Sequence, residues 1–194
     1  VNVPSPINDY RVLAAMTRVP RHEFVDAALS HLAYDNDALP IGYGQTISQP
    51  YTVARMTELL LTHCNPRKVL EIGTGCGYQA AVLGELCEEV YTVERIEPLS
   101  RESGQRLHRL GYRHVHTLYN DGQLGWPTQA PFDGILFAAM GASISPDLLA
   151  QLAPDGVCIA PLNGQLTIIK RDGVSYQQQV IEQANFVPLL TGKT

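Results

Sequence analysis

Lys68-Val69-Leu70-Glu71-Ile72-Gly73-Thr74-Gly75-Cys76-Gly77 is the stretch whose reading decides the fold of this chain. Val69, Leu70 and Ile72 form a short apolar run, partly β-branched, which predicts a buried strand over 68–72. The run ends in glycines at 73, 75 and 77, and helical spacing resumes at Tyr78, predicting a helix over 78–86. Glycines at those points let the backbone turn sharply and let a ligand approach the main chain. The first turn of the helix that follows offers N–H groups with no intrahelical partner. Strand, glycine turn and helix in this order form the unit with which an α/β sheet holds a nucleotide-type cofactor.

The same alternation continues outward. Strands are predicted over 90–94, 114–118, 132–138 and 156–161, with helices over 98–110 and 146–152 and an irregular loop running to Pro131. Pro98 stands near the start of one helix and Gly111 just past its end. Two further strands, 165–171 and 175–187, have no helix between them, and Asp172-Gly173 predicts a hairpin and an antiparallel last strand. The pattern is therefore α/β, a doubly wound, mostly parallel, seven-stranded sheet. Upstream, a helix is expected over Tyr10–Thr17, capped by Asn8 or Asp9 and stopped by Val19-Pro20. A short helix over His22–Leu29, a loop over 33–49 and a helix from Pro50 to about His63 complete that part. One domain is expected, with 1–66 a helical and loop part covering the site and 67–194 the α/β core.

Composition narrows the class. The chain has 194 residues, 45% hydrophobic and 17% charged, which is globular rather than disordered. A net charge of −5 provides no basic footprint for nucleic acid or an anionic membrane, and neither partner is expected. No apolar run has the length of a membrane span, and no secretory leader pattern opens the chain. Cys64, Cys76, Cys87 and Cys158 are scattered without a C-x-x-C pair, so they read as reduced thiols of a cytoplasmic protein. No metal site is expected, because His114 and His116 share one strand face without a third ligand. Arg101, Arg106 and Arg109 lie with Glu97 and Glu102 on one helix and read as a solvated face. The chain begins at Val1 rather than Met, and an upstream segment is expected.

The glycine spacing separates cofactors. A dinucleotide fingerprint reads G-x-G-x-x-G. Here the third glycine comes one residue early, and Tyr78 stands where that pattern wants glycine. Glu71, ahead of the first glycine, would repel a pyrophosphate but attract the ammonium group of a methionine-derived cofactor. Glu94 ends the next apolar run, a position suited to gripping ribose hydroxyls. Glycines, Glu71 and Glu94 together resemble the S-adenosylmethionine site of Rossmann-like methyltransferases; the alternative is a tight turn with no ligand. Asp121, in Asn120-Asp121-Gly122 after the third strand, would then accept from an adenine amino group, or simply form an Asp-Gly turn.

The acceptor is read from other segments. A carboxylate is already anionic at neutral pH, so it needs orientation and a hydrogen-bond donor but no base. The Asn/Asp-Pro-Pro-aromatic segment of amine methyltransferases is absent from Phe132–Ala139, and no Pro-Cys pair is present for cytosine chemistry. The stretch Leu39-Pro40-Ile41-Gly42-Tyr43-Gly44-Gln45-Thr46-Ile47-Ser48-Gln49-Pro50 resembles the protein-L-isoaspartate (D-aspartate) O-methyltransferase family closely. Val19-Pro20-Arg21, Phe24-Val25, Ala33-Tyr34, Gly125-Trp126-Pro127, Ala130–Asp133, Gln151-Leu152 and Phe186–Leu189 extend the resemblance over nearly the whole chain.

That resemblance implies S-adenosylmethionine-dependent methylation of L-isoaspartyl and D-aspartyl carboxylates, with damaged peptides and proteins as partners; a monomer is expected, though the sequence itself does not give the oligomeric state. It implies that Ser48 is the active-site serine and that Thr46-Ile47-Ser48 is the strip between cofactor and substrate. Gln45, Thr46, Ile47, Glu71, Gly73, Thr74, Gly75, Gly77, Glu94, Asp121 and Gly122 are expected on the cofactor, and Phe186–Leu189 near the peptide. By itself, a serine two residues before a helix-opening proline is an N-cap, and the two roles can coexist. Another O-methyltransferase on the same scaffold, or a non-catalytic binder of damaged peptides, are the alternatives. The chain departs from the family pattern at Asn120, often Gly, at Cys76, often Ser, and in lacking one helix before Asn8.

Overall fold

The structure, a computed structural model, describes residues 5–194. Helix α1 spans Tyr10–Arg18. Asp9 caps it by accepting the Arg11 N–H at 2.9 Å, and Val12 and Ala15 form its buried stripe. Two 3₁₀ turns follow, Arg21–Phe24 and Ala27–Leu32, in place of the single helix expected over 22–29. The break falls at Asp26, whose carboxylate turns back to accept the Ala28 N–H at 2.8 Å and starts the second turn. The loop expected over 33–49 contains a hairpin, β1 (Leu39–Gly42) and β2 (Gln45–Ile47). Its connection, Gly42-Tyr43-Gly44, has positive φ throughout (90°, 56° and 68°), which lets so short a ribbon reverse.

Helix α2 spans Pro50–His63, with Pro50 in its first turn where a missing N–H costs nothing. The alternating core then runs β3 (Lys68–Ile72), α3 (Tyr78–Gly84), β4 (Glu89–Glu94), α4 (Glu97–Arg109), β5 (Val115–Tyr119) and β6 (Phe132–Phe137). Helix α5 is a single turn, Pro146–Leu149, shorter than the expected 146–152. The chain is drawn into β7 (Leu152–Leu162) early because Leu152 pairs with Phe132. Strands β8 (Gln165–Asp172) and β9 (Ser175–Gln183) finish the sheet.

The seven strands stand in the order β5-β4-β3-β6-β7-β8-β9. Strands β3 to β7 are parallel, β8 is antiparallel to β7, and β9 is antiparallel to β8 as the Asp172-Gly173 turn requires. Side chains alternate across the sheet. Val69, Val90, Leu136 and Val157 pack toward α2 and α3, whereas Leu70, Ile72, Phe132, Ile135 and Phe137 pack on the opposite face. The carboxyl ends of β3, β4, β5 and β6 share one edge, where open α/β sheets bind ligands.

Candidate active site

The glycine turn is held from several sides. Gly73, Gly75 and Gly77 all have positive φ (94°, 54° and 91°), conformations costly for any other residue. A Cβ at Gly75 would lie 3.3 Å from Ile41 Cδ1, so the β1–β2 hairpin rests directly on the turn. Gly77 is the N-cap of α3, and a Cβ there would meet Leu107 at 3.2 Å. Arg106 of α4 donates from Nη1 to the Cys76 carbonyl oxygen at 2.8 Å, and its guanidinium stands 6.0 Å from the Phe24 ring. Arg106 is therefore part of the turn's support rather than of the solvated face expected for it.

Glu94, at the end of β4, is buried and accepts two backbone N–H groups, Gly75 at 2.8 Å and Ile96 at 3.0 Å. Two such bonds fix the carboxylate against the turn, while its remaining lone pairs face a cavity over the sheet edge. Gln45, Thr46, Ile47, Ser48, Gly73, Thr74, Gly75, Glu94 and Gly122, all named from sequence, line that cavity. Glu71, Gly77 and Asp121 do not.

Glu71 faces into the sheet, opposite Thr92 in the β3–β4 register, and is fully buried. The Thr92 hydroxyl donates to Glu71 Oε1 at 2.5 Å, and the Thr74 and Thr92 hydroxyl oxygens are 2.6 Å apart. The carboxylate is thus connected to the cavity wall through two hydroxyls, and its Oε2 is buried without a partner among the described residues. Burial pushes its carboxyl up to about 8, against the Thr92 hydrogen bond and with the Glu94 carboxylate adding to the rise. Asp121 caps the turn Gly122–Leu124, accepting the Gln123 N–H at 2.9 Å, and its other oxygen accepts the Gly192 N–H at 2.7 Å. In place of the expected direct position on the cavity wall, Asp121 pins the C-terminal segment.

That segment forms one wall. The strand expected to run to 187 ends at Gln183, because the chain leaves the sheet edge and pairs with the loop after β6. Met140 N–H donates to the Val187 oxygen and Leu189 N–H to the Met140 oxygen, both at 2.7 Å. Phe186–Leu190 are thereby laid along the cavity.

A second groove adjoins the first and is lined by Ala38, Thr46, Ser48, Gln49, Thr52, Ala138, Asn185, Phe186 and Val187. Among the described residues, no charged side chain lines it. Ser48 opens into both spaces. It is not the N-cap of α2: that position is Gln49, without a side-chain bond, and the Tyr51 N–H is taken by Asn36 Oδ1 at 3.0 Å. The Ser48 hydroxyl has no partner among the described residues.

Sequence reasoning missed Thr52, Val53 and Met56, which line the cavity from the first turns of α2. Their helical spacing behind Ser48 is the signal that points to them. It also missed Arg21, almost fully buried, which donates to the carbonyls of Ala33 at 2.6 Å and Asp37 at 3.3 Å and lies 4.7 Å over the Tyr78 ring. Arg21 ties the segment leading into the hairpin to a residue of the cavity wall. His114 contacts the Gly84 carbonyl at 2.7 Å and His116 the Glu89 carboxylate at 2.6 Å, apart from the site.

Comparison with known proteins covers nearly the whole chain. The family model described as protein-L-isoaspartate(D-aspartate) O-methyltransferase matches residues 5–194. A protein-L-isoaspartate O-methyltransferase of Alcanivorax borkumensis is 51% identical over 190 residues, covering 96% of this chain and 86% of that one. One from Shewanella frigidimarina is 54% identical over 184 residues, covering 93% and 87%. Among solved structures, a protein-L-isoaspartate O-methyltransferase superposes with a TM-score of 0.84 at 24% identity, over 94% of this chain and 61% of the other. A Plasmodium falciparum protein in complex with S-adenosyl-L-homocysteine superposes with a TM-score of 0.82 at 20% identity, over 95% and 92%. These structural likenesses are of fold.

Proposed function

The chain belongs to the protein-L-isoaspartate(D-aspartate) O-methyltransferase family, and from that premise we infer that it methylates the free carboxylate of L-isoaspartyl and D-aspartyl residues in damaged proteins, using S-adenosyl-L-methionine. The observation that carries this reading is the pair of adjoining spaces, one walled by the glycine turn and Glu94, the other free of charged side chains, with Ser48 opening into both.

The residues present fit the cofactor. Glu94 is fixed by two backbone N–H groups and presents free lone pairs, as a grip on paired ribose hydroxyls needs. Gly73 and Gly75 place bare main chain on the wall, so a ligand can lie against it. The buried Glu71 Oε2, without a partner among the described residues, lies behind Thr92 and Thr74; its carboxyl holds its proton up to about 8 in the ligand-free protein, and a cationic group brought to Thr74 would favour its ionisation. Gln45, Thr46 and Ile47 cover the site from the hairpin and Gly122 lines its wall, so these residues would hold the cofactor, with Gly77 and Asp121 supporting from behind. When bound, S-adenosyl-L-methionine supplies an electrophilic methyl group on a sulfonium sulfur.

The chain then has little covalent work to do. The acceptor carboxylate is anionic at neutral pH, so no side chain need remove a proton. Ser48 donates a hydrogen bond to one carboxylate oxygen and leaves a lone pair free for in-line attack. A cation in the groove would hold those electrons more tightly; its wall of hydroxyl, amide and apolar groups does not. Residues 1–66 act with the α/β core as one methyltransferase domain. The enzyme works without nucleic-acid or membrane partners, which the net charge of −5 supports, and as a cytoplasmic monomer.

Methyl transfer to a peptide containing isoaspartate, compared with the same peptide containing aspartate, tests the reading. Turnover of the first alone is expected. Equal rates on both, or none on either, would refute it.

A further inference from the structure

Six residues belong to the walls of both spaces: Thr46, Ser48, Thr52, Ala138, Phe186 and Val187. They are the walls the two spaces share, where donor and acceptor would meet if each occupied one space, and three of them carry hydroxyls. We propose that Thr52 is a second hydroxyl contact to the acceptor carboxylate, acting beside Ser48 on these shared walls. The proposal rests on the function argued above and deepens it.

Hydroxyls on helices ordinarily satisfy themselves by bonding back to the carbonyl four residues earlier. The other two threonines in the body of α2 do so: Thr57 Oγ1 donates to the Val53 oxygen at 2.7 Å and Thr62 Oγ1 to the Glu58 oxygen at 2.8 Å. Thr52 is the third residue of α2, where the residue four earlier, Ser48, lies outside the helix and supplies no helical carbonyl; its hydroxyl has no partner among the described residues. The Ser48 hydroxyl has none either. Ser48 and Thr52 are thus unspent donors on the walls of both spaces, with the Thr46 hydroxyl, also without a partner among the described residues, beside them on the hairpin, and no charged side chain among the described residues lines the groove.

A carboxylate entering the groove gives up water and must recover hydrogen bonds from the wall. Ser48 and Thr52 can supply two without supplying a countercharge. In the transfer, a lone pair on the attacking carboxylate oxygen forms the C–O bond as the C–S bond breaks, its electron pair passing to sulfur. No proton changes place, so both hydroxyls act only as donors that orient the carboxylate.

Thr52→Val removes the hydroxyl at nearly constant shape, and Thr52→Ser retains it. Steady-state kinetics on the isoaspartyl peptide should show kcat/KM lower by about ten- to a hundredfold in Thr52→Val, the scale of one hydrogen bond to a charged group. Thr52→Ser should remain within about threefold of the parent, and S-adenosylhomocysteine affinity by calorimetry should stay within about twofold in both variants. Thr52→Ala serves as the deletion if Thr52→Val does not fold. Parent-like kcat/KM in the deletion variant overturns the proposal. So does an equal loss in Thr52→Ser accompanied by weakened S-adenosylhomocysteine binding, which marks a packing role. A parent protein inactive on the isoaspartyl peptide overturns the functional reading itself, and is distinguished by appearing before any substitution is made.

Discussion

Arg106 Nη1 donates to the Cys76 carbonyl oxygen at 2.8 Å, fastening the last turn of α4 to the glycine turn thirty residues earlier in the chain. The bond holds an otherwise open peptide in place, and the Phe24 ring beneath the guanidinium limits how far it can swing. Arg106→Ala is therefore expected to weaken S-adenosylhomocysteine binding by about tenfold, with kcat at saturating cofactor little changed. Calorimetry with parallel kinetics checks this. A fall in kcat at unchanged affinity would contradict it.

Glu94 joins the turn to the cofactor side of the cavity through its bonds to Gly75 and Ile96. Glu94→Gln keeps the size but replaces one accepting oxygen by a donor, which must then face a backbone N–H or the ligand. Cofactor affinity is expected to fall by about ten- to a hundredfold, on the scale of a lost charge-assisted hydrogen bond. Equilibrium dialysis with labelled S-adenosylmethionine measures it directly.

Ser48 does not cap α2, so its removal should leave the helix intact. Ser48→Ala is expected to lower turnover of an isoaspartyl peptide by about a hundredfold or more, the usual cost of deleting a fixed donor at a reacting centre. Melting temperature and S-adenosylhomocysteine affinity should be unaffected. Near-normal turnover would remove Ser48 from the reaction.

Glu71 carries a pH signature. Burial raises its carboxyl to about 8, opposed by the Thr92 hydrogen bond and assisted by Glu94. In the unfolded chain a glutamate titrates near about 4.3, so the folded state binds this proton more tightly. Its contribution to stability is full below the unfolded value and is lost as pH rises through about 8. Melting of the ligand-free protein between about pH 6 and pH 9 should fall more steeply for the parent than for Glu71→Gln, each kcal/mol appearing as about 2–4 °C. Parallel curves would show that Glu71 does not titrate in that range.

Most of the α/β core was legible from residues near one another in sequence. The apolar run at 68–72, the glycines behind it and the hairpin at Asp172-Gly173 impose local geometries that little else could override. The hairpin at 39–47 was hidden because Pro40 and Gly42 interrupt its first strand and its second is only Gln45–Ile47, and its pairing is stabilised by resting on the glycine turn. The end of β9 was misread because an apolar run cannot show whether its backbone will pair with a strand or, as for Val187 and Leu189, with a loop.

The site divides in the same way. Sequence alone determined which chemistry is present: glycines that permit close approach, Glu94 at a strand end, and a serine ahead of a helix in a segment that resembles one family. Tertiary structure alone decided how those groups are used. It turned Glu71 inward behind two hydroxyls, spent Asp121 on Gly192, made Arg106 a support of the turn, and brought Thr52 and Val187 to the walls that the two spaces share. The physical reason is the range of the forces involved. Backbone sterics and periodicity act over a few residues and are written in order along the chain, whereas the partner of a buried polar atom is fixed by packing between segments that meet only when the core closes.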